Sequence, residues 1–123
     1  MFGLTDKTMN NREIKFRVYI PDHEKFSYFR LGEFDYSDRY LYQHQYPVQQ
    51  YTGLQDCNGN DIYEGDIVSG EFYDTEYHHS ETIKAEVIFN NGAFNIAIRE
   101  WHNPSLEIIG NIFENPELIK RNE

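Results

Sequence analysis

From Tyr40 to Ile83 the chain contains no lysine and no arginine. That stretch carries eight carboxylates: Asp56, Asp61, Glu64, Asp66, Glu71, Asp74, Glu76 and Glu81. Residues 1–39 balance seven basic against seven acidic side chains, and residues 84–123 hold four against six. Eight of the ten net negative charges therefore lie in the middle of the chain. Nucleic-acid affinity rests mostly on Lys and Arg neutralising phosphates, so this distribution points away from direct DNA or RNA binding. Cysteine is nearly absent. The single Cys57 excludes an internal disulfide, and a small secreted domain more often carries an even set. Asp56 and Asp61 beside Cys57 disfavour a thiolate, which leaves an inert exposed thiol as the expectation. No apolar run approaches the roughly 20 residues that span a bilayer. Met1 to Asn11 has no apolar core or cleavage pattern of a signal peptide. The expectation is a soluble, cytoplasmic protein without a membrane partner.

Aromatic residues are plentiful: ten Tyr, nine Phe and one Trp in 123 residues. Such a composition favours strands and a core built from rings. A chain of this length forms one domain with a single core. Ile14, Phe16, Val18 and Ile20 alternate with Lys15, Arg17 and Tyr19, the period of a half-buried strand. Pro21-Asp22 breaks it, and alternation resumes from Phe26, predicting a hairpin with a loop of about five residues. In the segment from Asp35 to Gln50, Tyr40, Tyr42, His44 and Tyr46 share a face if the backbone is extended, and Pro47 forbids a central strand position there unless it lies at an edge. Asn58-Gly59 is a strong turn dipeptide. A strand is expected from Ile67 toward Tyr73, then a polar loop from Asp74 to Thr82. Ile83, Ala85, Val87 and Phe89 alternate on one face, Asn90-Asn91-Gly92 turns the chain, and Phe94, Ile96 and Ile98 alternate again, the pattern of an antiparallel hairpin. Glu107 to Ile109 reads as a further strand. Asn115-Pro116-Glu117 has the residues of a short helix start. The predicted fold is mainly β and antiparallel. An SH3-like small barrel forms its C-terminal half, over about 50–118. An N-terminal β-hairpin with its connecting segment covers 12–49, and a short helix ends the chain. An α+β arrangement with a helix within 35–46 is the alternative.

Several groups invite a chemical reading. His78-His79 with Asp74, Glu76 and Glu81 contains metal-ligand types, but the spacing matches no ligand motif, and adjacent strand residues point to opposite faces. Asp56, Asn58 and Asn60 mimic the start of a calcium loop. Asp61 then stands where that loop needs glycine and Ile67 where it needs glutamate, so the pattern fails. No nucleophile elbow, phosphate loop or dinucleotide fingerprint occurs. No cofactor and no metal are expected, and a non-enzymatic role is. In Tyr63-Glu64-Gly65-Asp66, Gly65 suits a positive φ and Asp66 can cap the turn through backbone amides. The same residues, with Tyr51, are alternatively part of a contact patch.

Three segments carry a family likeness: Arg12-Glu-Ile-Lys-Phe-Arg-Val18, the run from Tyr51 through Asp56, Asn58-Gly59, Tyr63 and Gly65-Asp66 to Val68, and Glu107-Ile-Ile-Gly-Asn-Ile-Phe-Glu-Asn-Pro-Glu-Leu118. Their order and spacing resemble the YopX-like proteins of phages and prophages of Gram-positive bacteria, over about residues 12–118. The resemblance implies an accessory gene product. Small acidic products of that kind often bind and inhibit a host protein, nucleases and defence effectors included. The expected contact residues are Tyr51, Asp56, Asp61, Tyr63, Glu64, Asp66, Glu71, Asp74, Glu76 and Trp101, presented to a host protein with a basic surface. A small-molecule or nucleotide binder stacking its ligand on Tyr40, Tyr42, Tyr51, Tyr63 and Trp101 is the second reading. Tyrosine-bearing strand edges with few lysines also admit a homo-oligomer.

Overall fold

The computed structural model describes residues 13–33, 46–74, 76–95 and 105–119; within these, the side chains of 72–74 are left aside. Two compact units divide the chain, Met1–Gly53 and Leu54–Glu123. The division falls inside a strand.

In the first unit, strands β1 (Lys15–Ile20) and β2 (Lys25–Arg30) pair antiparallel from Lys15↔Arg30 to Ile20↔Lys25. Their loop is a four-residue turn, tighter than expected. His23 N–H donates to Ile20 O and Glu24 N–H to Pro21 O, and Glu24 takes φ 52°. Strand β3 (Val48–Gln55) starts just after Pro47 and flanks β1 over Val48–Gln50, so the proline sits where its missing N–H costs no ladder bond. The alternation of β1 buries Val18 and Ile20, as the pattern requires. It does not leave the other face in water. Arg17 is only 4% exposed, with its guanidinium 4.2 Å from the Phe26 ring centre, and the Lys15 ammonium lies 4.7 Å from that of Tyr51. Cationic stems and aromatic rings therefore make a second packed layer.

In the second unit, β4 (Asp61–Tyr63) follows the turn Asp56–Asn60. Strand β5 (Asp66–Asp74) is central in a three-stranded antiparallel sheet, between β6 (His79–Glu86) and β9 (Glu107–Asn111). A bulge sets Ile67 opposite Gly110 and Val68 opposite Ile108, leaving Ile109 as the extra residue. β7 (Phe89–Asn90) and β8 (Ala93–Phe94) form a minimal hairpin. Ile62, Val68, Val87, Phe94 and Leu106 form the buried cluster, with Ile108 packed on it. Pro116–Ile119 is a 3-10 turn, the expected short terminal helix.

The mainly β, antiparallel class is thus as the sequence predicts. Two local expectations are corrected. The loop foreseen over Asp74–Thr82 is mostly strand, because β5 and β6 pair out to Asp74↔His79. The alternation of Ile83, Ala85, Val87 and Phe89 also breaks. Asn95 takes over the ladder at Ile88: Ile88 N–H donates to Asn95 Oδ1, Asn95 N–H to Ile88 O, and Asn95 Nδ2 to Glu86 O. Phe89 emerges exposed, edge-on to Phe94 at 5.0 Å. Tyr40, Tyr42, His44, Ile96, Ile98 and Trp101 lie outside the described residues.

Candidate functional site

The densest polar geometry surrounds two carboxylates. Asp56 is 7% exposed. Its Oδ1 accepts from Asn58 N–H and Asn60 N–H, both at 2.9 Å, and its Oδ2 from Ile108 N–H at 3.0 Å. Cys57 N–H donates to Leu106 O at 2.8 Å, fixing the same turn to the segment before β9. Burial pushes the Asp56 carboxyl up, but the three backbone amides outweigh that and hold it below its ordinary range. Gly59, at φ 83°, closes the turn with its N–H on Asp56 O. Asp66 is 3% exposed, and its Oδ2 accepts from Tyr63 N–H at 2.7 Å. Gly65, at φ 91°, donates to Val87 O and accepts from Ile112 N–H, while Asp66 O accepts from Val87 N–H. One four-residue turn thus ties β4, β5, the chain after β6 and the chain after β9. Only glycine holds that φ cheaply.

These bonds correct part of the expected contact patch. Tyr51, Asp56, Tyr63 and Asp66 are interior residues, and a buried, fully engaged carboxylate offers nothing to a partner. Tyr51 and Tyr63 form no exposed stacking platform either. Two of the three segments that carry the family likeness interlock here, through Asp56 to Ile108 and Gly65 to Ile112. The pattern preserves a scaffold.

The remaining acids are spread. Asp61 accepts from Gln55 Nε2 at 3.1 Å, and Glu64 is half-buried. Glu71, Glu76 and Glu81 are exposed on the β5–β6 hairpin, with Asp74 at the end of β5. Glu71 pairs with Thr82 while Glu81 pairs with Phe72, so the two glutamates leave the ribbon on opposite faces. The third strand, β9, accompanies β5 only as far as Ser69↔Glu107, and the Ser105 hydroxyl accepts from Glu71 N–H just beyond. From there outward, among the described residues, the hairpin has no third strand, and residues 76–82 are all exposed. Residues 70–83 hold four acids and no Lys or Arg. In the first unit, Arg30 and Lys15 hold Glu13, at 3.0 and 3.3 Å, and keep its carboxyl below its ordinary range. Sequence reading missed this two-sided exposure. Its signal is that β5 and β6 are longer than the strand beside them.

His78 and His79 are exposed at the tip, His78 at φ 55°. No cluster of three or more potential metal ligands occurs among the described residues. No helix among them is long and apolar enough to cross a membrane.

One family model, described as YopX protein, matches residues 4–120. The structure is similar to the crystal structure of protein EF1440 from Enterococcus faecalis, with a TM-score of 0.54 and 21% sequence identity, over 87% of this chain and 98% of that one. At that identity the likeness speaks for the fold alone. No curated protein matches the chain.

Proposed function

The chain belongs to the YopX family, and from that premise we propose a non-enzymatic binding role, in which the outer β5–β6 hairpin engages a protein partner with a basic surface. The observation that carries this reading is the shape and charge of that hairpin. Among the described residues it extends beyond its third strand and is exposed at Glu71 on one face and Glu81 on the other, and its sequence carries Glu71, Asp74, Glu76 and Glu81 with no cation among residues 70–83. A ribbon with carboxylates on both faces fits a groove lined by Lys and Arg, including a groove built for a nucleic-acid backbone. A phage- or prophage-encoded inhibitor of a host nuclease or defence protein is the biological form of this proposal.

The test is capture from a lysate of the natural host, with three baits. One is the wild-type chain. The second carries Glu71→Gln, Glu76→Gln and Glu81→Gln. The third carries Asp22→Asn, Glu24→Gln and Glu117→Gln, which removes the same number of exposed carboxylates elsewhere. A protein retained by the first and third baits and lost by the second supports the proposal. Equal loss on the second and third reduces the effect to net charge, and retention on all three removes the hairpin from the contact.

A further inference from the structure

We infer that Asn91 is a site of spontaneous deamidation, and that the fold protects the other Asn-Gly pair, Asn58-Gly59, from the same reaction. In this chemistry the backbone nitrogen of the following glycine attacks the asparagine Cγ. The Cγ–Nδ2 bond breaks, and ammonia leaves carrying the proton that the glycine nitrogen gives up through solvent. The five-membered imide then takes up one water at either carbonyl, giving aspartate or isoaspartate. Water is the only co-reactant.

The two pairs differ in what holds the nucleophile and the target. At Asn58-Gly59 the attacking N–H donates to Asp56 O at 3.0 Å. The Asn58 amide contacts Glu107 Oε2 at 3.4 Å, and Asn58 N–H donates to Asp56 Oδ1 at 2.9 Å. Asp56 is itself anchored to Ile108, so freeing Gly59 means dismantling a turn tied to β9. At Asn91-Gly92 both residues are exposed, and neither the Asn91 amide nor the Gly92 N–H has a hydrogen bond among the described residues. Their φ values, 55° and 83°, are those of a type I′ hairpin turn. That conformation must open for the nitrogen to reach Cγ, and opening breaks only the Asn90↔Ala93 pair at the end of a two-residue hairpin. Loop tips with so few pairs open at little free-energy cost.

The product alters the hairpin. Either acid adds a negative charge, and isoaspartate inserts a methylene into the backbone of a turn that needs positive φ at both central positions. Phe94, in the buried cluster, is the adjoining strand's anchor.

The experiment is incubation of the intact chain in mildly alkaline buffer, with timed peptide mass mapping and isoaspartate detection, beside a sample unfolded in urea. In the folded chain Asn91 is expected to convert at least about tenfold faster than Asn58, and the gap is expected to close in urea, where local opening no longer differs. Comparable rates for both asparagines in the folded chain, or an unchanged gap in urea, overturn the inference. So does the absence of Asn91 conversion while the urea sample reacts.

Discussion

Asp56 shows how much one side chain decides. Its carboxylate accepts from three backbone N–H groups, two in its own turn and one in β9. Hydrogen bonds to a charged acceptor contribute about 1.5–3 kcal/mol each, and they are not additive. Asp56→Ala should therefore lower unfolding free energy by about 3 kcal/mol, read from urea denaturation. The pH dependence follows from the lowered carboxyl. A carboxyl depressed in the folded state contributes stability that is fully present above the unfolded value, about 3.9, and is lost as pH falls through the folded one. Asp56→Asn should flatten that acid limb, and an unchanged acid profile would show the carboxylate to be dispensable. Gly110 is a steric counterpart. A Cβ there would lie 2.7 Å from Asn115 Oδ1 and 2.8 Å from Leu118 Cδ1. Asn115 cannot give way cheaply, since its Oδ1 accepts from Asn111 N–H and its own N–H donates to Asn111 O. Gly110→Ala should cost about 1–3 kcal/mol by overpacking, measured as a lowered denaturation midpoint.

At the level of elements, the alternation in β1 and the Asn-Gly turn dipeptides were legible, because period and turn chemistry are local properties. What local pattern could not show is who supplies the partner. Asp56 looked like surface charge because Ile108, which donates to it, lies 52 residues away. Arg17 looked solvent-facing because Phe26, which covers it, belongs to the next strand. The strand break at Ile88 depends on the side chain of Asn95, which no periodicity reveals. The loop read over Asp74–Thr82 failed for a related reason: its polar residues are exposed on a paired ribbon, so polarity reported exposure and not the absence of a strand. A prediction belongs to this scale. Because Glu71, Glu76 and Glu81 are exposed, replacing all three with glutamine should shift folding stability by no more than about 0.5 kcal/mol per site. Thermal melting checks this, and a collapse in melting temperature would mean the ribbon is held by contacts of its carboxylates.

Across the whole molecule, the charge asymmetry of the sequence resolves into two populations. Asp56 and Asp66 are inside and accept from backbone amides, while Glu71, Glu76 and Glu81 of the hairpin are exposed. The family pattern tracks the first population, which is why the likeness identifies a fold more readily than a partner. If the second population makes the contact, association should weaken steeply as salt rises, since exposed charges beyond about 10 Å are screened at 0.1 M ionic strength. Titration of the captured partner at low and high salt measures this, and a flat affinity would remove the electrostatic argument.

The most direct measurement is hydrogen exchange of the full chain with and without the captured partner. Protection on binding should appear in residues 71–82 of the β5–β6 hairpin and leave the turn at Asp56–Asn60 unchanged. Protection confined to the β1–β2 hairpin, with the β5–β6 ribbon exchanging as in the free chain, would contradict the account.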